Sequence, residues 1–289
     1  MFENLYQKSI LRKIIIVLFI TGIIVFGIQI YINSNFYYNN VKDKAENHLL
    51  EKLNSEAQYL NSLFSSTKNT SKHIAALVEN DKNYNEELLL DYFKNAMEES
   101  PLIVGGGVWM EPNKYKENEK YFGPYIYRDN NSIEISWEYS NEEGNYFQYD
   151  WYKDGLGKEP VWSEPYKDQV TGVPMITVST PIRINNKAQG VVTLDLGMEK
   201  MKEHVNNLEV GDNGQAFIVS NTGKFIVNNN HENSMEVNIQ NEEKSQLAQY
   251  AGEILDSNKA NLREATVEKL LLMEKDILSE REIFIFKLK

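Results

Sequence analysis

The chain has 289 residues, 42 of them acidic and 30 basic, for a net charge of −12. That balance excludes the basic, one-faced charge distribution of a nucleic-acid binder. The absence of cysteine excludes disulfides, thiolate metal sites and cysteine nucleophiles, so any domain outside the cell must hold itself together by its apolar core.

Residues 14–32, IIIVLFITGIIVFGIQIYI, carry no charge. As a helix they span roughly 28 Å, matching a bilayer core of about 30 Å. Lys8, Arg12 and Lys13 precede them, which places residues 1–13 in the cytoplasm and the bulk of the chain outside, in a single-pass cell-membrane topology. A cleaved signal peptide is the competing reading. It requires a small-x-small cleavage site, and Asn33, Ser34, Asn35 and Phe36 offer none, whereas Tyr31, Tyr37 and Tyr38 resemble an interfacial aromatic belt.

Residues 33–80 read as a long amphipathic helix. Leu49, Leu50, Leu53, Ala57, Leu60, Phe64, Ile74, Leu77 and Val78 recur at steps of three and four, and no Pro or Gly interrupts 39–79. Such a helix packs on its own domain, or forms a stalk that pairs with a second copy to make a homodimer; both readings stand. A second helix is expected over 85–98, ended by Pro101. The period then changes to that of strands: 104–110 with three successive glycines, 133–139 with strict alternation, and 173–184 and 190–197 joined by Asn185-Asn186-Lys187. Gly105-Gly106-Gly107 lacks the Lys-Ser/Thr of a phosphate loop and reads as a close strand approach or bulge. A short helix over 198–208 follows, then a hairpin about Ser220-Asn221-Thr222 and a helix over 242–257. The whole is an α+β chain in which 100–200 form a mostly antiparallel sheet.

The chemistry concentrates in Tyr149-Asp150-Trp151-Tyr152, Trp162-Ser163-Glu164-Pro165-Tyr166-Lys167-Asp168, Thr171-Gly172 and Asp195. This reads as an aromatic loop with acids, followed by a strand whose Asp195 lies inside an apolar run. A carboxylate there needs a partner or a solvated cavity, because a bare buried charge is costly. Aromatic rings combined with carboxylates suit a cationic amine. In the plainer reading Trp151, Tyr152 and Trp162 are packing aromatics and Asp168 is a turn acid. The four histidines, His48, His73, His204 and His231, have no H-x-x-x-H spacing, so neither a transition metal nor another cofactor is expected.

The series W-Y, W-x-x-P-Y-x-D, T-G, V-S-x-P and G-V-V-x-x-D, over about residues 35–260, resembles the double Cache (dCache) sensor domain of bacterial transmembrane receptors. The resemblance implies two PAS-like modules with antiparallel sheets behind the membrane helix and the long helix: a membrane-distal ligand-binding module at 81–200 and a partial membrane-proximal module at 201–260. It implies ligand sensing for a chemoreceptor, histidine kinase or diguanylate cyclase, and no catalysis by the sensor itself. In the amino-acid-binding branch, the family's Trp-Tyr pair falls on Trp151 and Tyr152, its Tyr-x-Asp on Tyr166 and Asp168, and its amine-holding strand Asp on Asp195. The carboxylate-clamping Arg falls on Tyr149. The amine-binding half of the site is therefore present and the bidentate clamp is not, which favours an amine or quaternary ammonium ligand. An amino acid requires a substitute cation, for which Arg128 and Lys153 are candidates.

Residues 261–289 read as an atypical charged tail, helical around Lys275-Asp276 and Ser279-Glu280-Arg281-Glu282, and no second span or output signature follows. The expectation is the sensory part of a membrane receptor. Alternatives are a single-anchor binding protein without output, or an extracytoplasmic hydrolase using Asp168 and Asp195.

Overall fold

A computed structural model describes residues 2–80, 85–130, 132–208, 210, 214–228, 234–241, 248, 251, 267–275 and 280–288. The chain divides into two compact units, Met1–Lys52 and Leu53–Lys289. Helix α1 (Phe2–Asn80) begins in the first. Within that unit every side chain from Ile10 to Val41 is exposed. Among the described residues this is the one helix long and apolar enough to cross a membrane, by length and composition.

In the second unit, α1 buries Leu53, Ala57, Leu60, Phe64, Ile74 and Val78, while Leu77 is exposed and falls off the stripe. This part of the helix is thus a core element of its own unit. Helix α2 (Glu86–Glu99) starts at Asn85, whose side chain accepts the amide proton of Leu88, and it buries Leu89, Phe93, Ala96 and Met97.

The larger sheet has the strand order β3-β2-β1-β7-β6-β4, with β5 also on β6. The strands are β1 (Ile103–Met110), β2 (Tyr125–Asp129), β3 (Ser132–Ser136), β4 (Val161–Trp162), β5 (Tyr166–Lys167), β6 (Pro174–Ile184) and β7 (Lys187–Gly197), and all pairings are antiparallel. Asn185 and Asn186 join β6 to β7 with φ of 51° and 61°, a two-residue turn that suits asparagine and matches the strand twist. β3 ends at Ser136, short of the expected 139, because Trp137 opens a turn closed by Ser140 N–H to its carbonyl.

Register gives the sheet two faces. Gly106, Val108, Ile176, Val178, Val192 and Leu194 alternate with Gly105, Gly107, Thr177, Ser179, Thr193 and Asp195. The first face meets the helices: Phe93 presses on Gly106, and Ser71 of α1 hydrogen-bonds Thr180 of β6 at 2.6 Å. The second carries the aromatic residues. The triple glycine is therefore a close approach, with a register shift between Ile103 and Gly105. A Cβ on Gly106 would lie 2.4 Å from the Thr193 carbonyl oxygen and 2.7 Å from the Phe93 ring. Gly106→Ala is expected to destabilise the protein by about 2 kcal/mol, read as a lower denaturation midpoint; an unchanged midpoint would refute the close packing.

Helix α4 (Met198–Asn206) leads to a four-stranded sheet of order β10-β11-β8-β9. Its strands are β8 (Gln215–Val219), β9 (Phe225–Val227), β10 (Val267–Lys275) and β11 (Glu280–Leu288). β8 and β9 form the expected hairpin. The expected helical tail is corrected: β10 and β11 are antiparallel strands, and β11 runs parallel to β8, so this sheet is not wholly antiparallel. The charges that suggested a helix, Lys275, Glu280, Arg281 and Glu282, lie at the strand ends about the β10–β11 connection. Ile283 to Phe286 form the apolar middle of β11. The helix expected over 242–257 lies outside the described residues, apart from residues 248 and 251.

Candidate ligand-binding site

On the second face of the larger sheet Gly105 and Gly107 contribute no side chains, and Tyr125 and Trp109 close over them. Register sets Gly105, Asp195 and Thr177 in one row across β1, β7 and β6. Over this row lies a cluster of Trp109, Tyr125, Tyr139, Tyr146, Trp151, Tyr152 and Val191. Thr193 anchors Trp109, accepting from its indole N–H at 2.8 Å and from Gly107 N–H at 3.1 Å.

Trp151 and Tyr152 were expected on a loop and stand instead on a short helix, α3 (Asp150–Gly155). Six residues are too few to show a helical period. Gly155 lets α3 close on the sheet, since a Cβ there would lie 2.7 Å from side-chain atoms of both Ser179 and Val191. Trp151 stacks on Tyr149 at 5.6 Å and 8°. Tyr149 donates its hydroxyl proton to Gln169 Oε1 at 2.7 Å.

The two candidate acids differ in kind. Asp168 is saturated. One oxygen accepts the Tyr139 hydroxyl, and Oδ2 accepts Val170 N–H at 3.1 Å, Thr171 N–H at 2.7 Å and the Thr171 hydroxyl at 2.8 Å. It holds the turn before β6, as in the plainer reading of the sequence. Asp195 is 2 % exposed. Its Oδ1 accepts the Thr177 hydroxyl at 2.7 Å, and Thr177 Oγ1 in turn contacts the Tyr166 hydroxyl at 2.7 Å. Its Oδ2 and the Tyr125 hydroxyl both lie against Gly105, and that hydroxyl favours the ionised acid by hydrogen bonding. No cation pairs with Asp195 among the described residues. Burial raises its carboxyl from 3.8 to about 7; the negative Asp168 adds to the rise, and Thr177 and Tyr125 oppose it. Burial, reinforced by the two acids, also pushes the Tyr125 and Tyr166 phenols well above their usual range.

Beside this cluster lies a cavity of about 480 Å³ walled by Tyr149, Trp151, Trp162 and Tyr166. Its charged lining is Asp150, Asp154, Glu164 and Lys224. Of the six residues singled out in the sequence, Tyr149, Trp151 and Tyr166 line the cavity. Asp195 does not line it; it is buried behind Tyr166, to which Thr177 links it, and Asp168 holds the adjoining turn. Tyr152 does not line the cavity; its ring packs against Tyr146 with centroids 5.1 Å apart. Neither candidate replacement for the missing arginine lines the cavity. Arg128 donates to the Met97 carbonyl at 2.9 Å, and Lys153 donates to the Gln148 carbonyl at 2.6 Å. Sequence reasoning missed Tyr125, Tyr139, Thr177 and Lys224 as members of the site. Register and tertiary contact bring them in, and no local pattern marks them.

The fold is that of extracellular sensor domains. The extracellular domain of mmHK1S-Z2, a proposed histidine kinase, superposes with a TM-score of 0.65 at 18 % identity, covering 84 % of this chain and 91 % of that one. Methyl-accepting chemotaxis protein X superposes at 0.55 and 15 % identity, covering 82 % and 96 %.

Residues 89–203 match the family described as methyl-accepting chemotaxis protein-like, first PDC sensor domain, in agreement with the Cache-type resemblance of the sequence. Methyl-accepting chemotaxis protein TlpB of Bacillus subtilis is 33 % identical over 79 residues, 27 % of this chain and 12 % of TlpB. Methyl-accepting chemotaxis protein McpG of Pseudomonas putida is 24 % identical over 217 residues, 75 % of this chain and 31 % of McpG. The matched segment thus spans between about an eighth and a third of these relatives.

Proposed function

We propose that this chain is the extracytoplasmic ligand-sensing part of a bacterial membrane receptor and that it binds a small amine-bearing molecule in the module formed by residues 81–200. The observation that carries the ligand class is Asp195: a buried carboxylate with no cationic partner among the described residues, close to an aromatic-walled cavity. An arriving ammonium supplies the missing charge and gains cation–π attraction from the rings. The span at 14–32 anchors the receptor with its N-terminus in the cytoplasm, and α1 pairs with a second copy. A ligand that prefers one of two arrangements of that helix carries the signal, in proportion to its differential affinity.

Melting curves of the full chain in detergent, with primary amines, tetramethylammonium, amino acids and simple carboxylates, test the class. Amines are expected to raise the midpoint. A response to carboxylates alone would overturn the reading. The affinity has a defined pH profile. Binding requires the carboxylate, so below about pH 7 a proton must leave Asp195 first. Calorimetric affinity is expected to be flat above pH 8 and to fall by about tenfold per unit below 7.

A further inference from the structure

Half of the cavity wall comes from one stretch of chain. Trp162, Ser163, Glu164, Pro165 and Tyr166 all line it. Every one of these residues except the proline also holds on to another part of the fold. Trp162 meets Phe64 of α1 edge-to-face at 5.1 Å, and Phe64 is fully buried. Ser163 is tied twice to β6: its N–H donates to the Thr177 carbonyl at 2.8 Å, and its Oγ accepts Thr177 N–H at 3.0 Å. Tyr166 contacts Thr177 Oγ1 at 2.7 Å, and Thr177 gives its hydroxyl proton to Asp195 Oδ1. Glu164 leaves the larger sheet altogether. Its Oε2 accepts the Ser220 hydroxyl at 2.6 Å, and Ser220 Oγ accepts Lys224 N–H at 3.1 Å, so Glu164 grips the hairpin between β8 and β9.

These bonds form an unbroken series. It begins at Asp195 under the aromatic cluster, passes through Thr177 to Tyr166, and leaves through Glu164 for the four-stranded sheet. The covalent step in the middle is short and stiff. Proline fixes its own φ and confines the residue before it to extended backbone, so Pro165 removes slack between Tyr166 and Glu164. A shift of Tyr166 is therefore handed on to the Glu164 carboxylate instead of being absorbed. Asp150, on the same lining, pairs within its own helix, 3.7 Å from Lys153. Among the described residues, Glu164 is the one acid of the lining bonded to the four-stranded sheet.

We propose that the segment 162–166 links the cavity and the Asp195 chain to the four-stranded sheet, with Glu164 as the residue that positions the β8–β9 hairpin. Glu164 acts through Ser220 and needs no contact with a ligand. Any occupant of the cavity bears on this segment, so the link does not depend on the ligand class proposed above.

Amide hydrogen exchange of the full chain in detergent, without ligand, tests the link, read as protection of the hairpin amides over 215–227. Thr177→Val removes the hydroxyl in the middle of the series, and Thr177 has no bond to the four-stranded sheet among the described residues. The substitution is expected to lower hairpin protection about fivefold. In a Glu164→Ala background it is expected to have no further effect, and in a Glu164→Gln background, which keeps an acceptor for Ser220, it is expected to act in full. Thr193→Val removes the hydroxyl that anchors Trp109 on the same face of the sheet and serves as the control for general loosening. It is expected to leave hairpin protection within about twofold of the wild type. Unchanged protection in Thr177→Val, an equal loss in Thr193→Val, or a full loss that persists in the Glu164→Ala background would overturn the link. Each of these results leaves the amine reading standing, which fails only in the ligand titrations.

Discussion

Asp195→Asn is expected to make the empty protein more stable above pH 7 and, in the same molecule, to abolish its response to amines. The sign follows from burial. The folded-state value of the carboxyl is raised from 3.8 to about 7, so the folded protein holds this proton more tightly than the unfolded chain does. That contribution is complete below about pH 4 and is lost as pH climbs through 7. At pH 8 the ionised group costs the fold on the order of 4 kcal/mol. Asparagine keeps the shape and the hydrogen bond from Thr177 and carries no charge. The difference in stability between variant and wild type should thus be small near pH 4, grow through the window and level off by pH 8, where it is expected to raise the melting midpoint by roughly 10 °C. Amine titration of the same variant should give no midpoint shift. A variant less stable than wild type at pH 8, or one that still answers amines, would place the binding charge elsewhere. A group that weakens the resting fold and is needed for ligand is the pattern expected of a functional residue.

Asp168→Ala is expected to move stability in the opposite direction. The substitution strips the partner from the Tyr139 hydroxyl, from Val170 N–H and Thr171 N–H, and from the Thr171 hydroxyl, in a turn whose acid is 5 % exposed. Donors left unpaired in a buried setting make the loss about 3–4 kcal/mol. Denaturation midpoints measured at pH 7 check this. A loss under 1 kcal/mol would show that the turn holds without its acid. Two carboxylates facing the same tyrosines are thus expected to give variants of opposite sign, one bound into its own turn and the other buried with no cationic partner among the described residues.

The sequence could not separate these two acids. Tyr-x-Asp and a strand Asp look alike as letters, and only the closure of the 168–171 turn onto its own amides shows that Asp168 is consumed. Features carried by short-range rules were legible: the Asn185-Asn186 turn, the second helix ended before Pro101, the close approach at Gly106, the apolar run at 14–32 and the buried stripe from Leu53 to Val78. Elements without a local period were not. Helix α3 has under two turns, and the pairing of β11 with β8 joins residues far apart in the chain. Lys224 was invisible for the same reason. A lysine in a hairpin reads as a solubilising charge until the fold sets it on the cavity beside the larger sheet.

The parallel pairing of β11 with β8 also imposes a timetable on biogenesis. Gln215 has Ile283 as its partner, so the inner edge of β8 emerges from the ribosome and waits for more than sixty further residues to be polymerised. The larger sheet closes within residues 103–197 and faces no such delay. Newly made molecules therefore pass through a half-finished stage with a bare strand edge, the species on which proteases and holdase chaperones act.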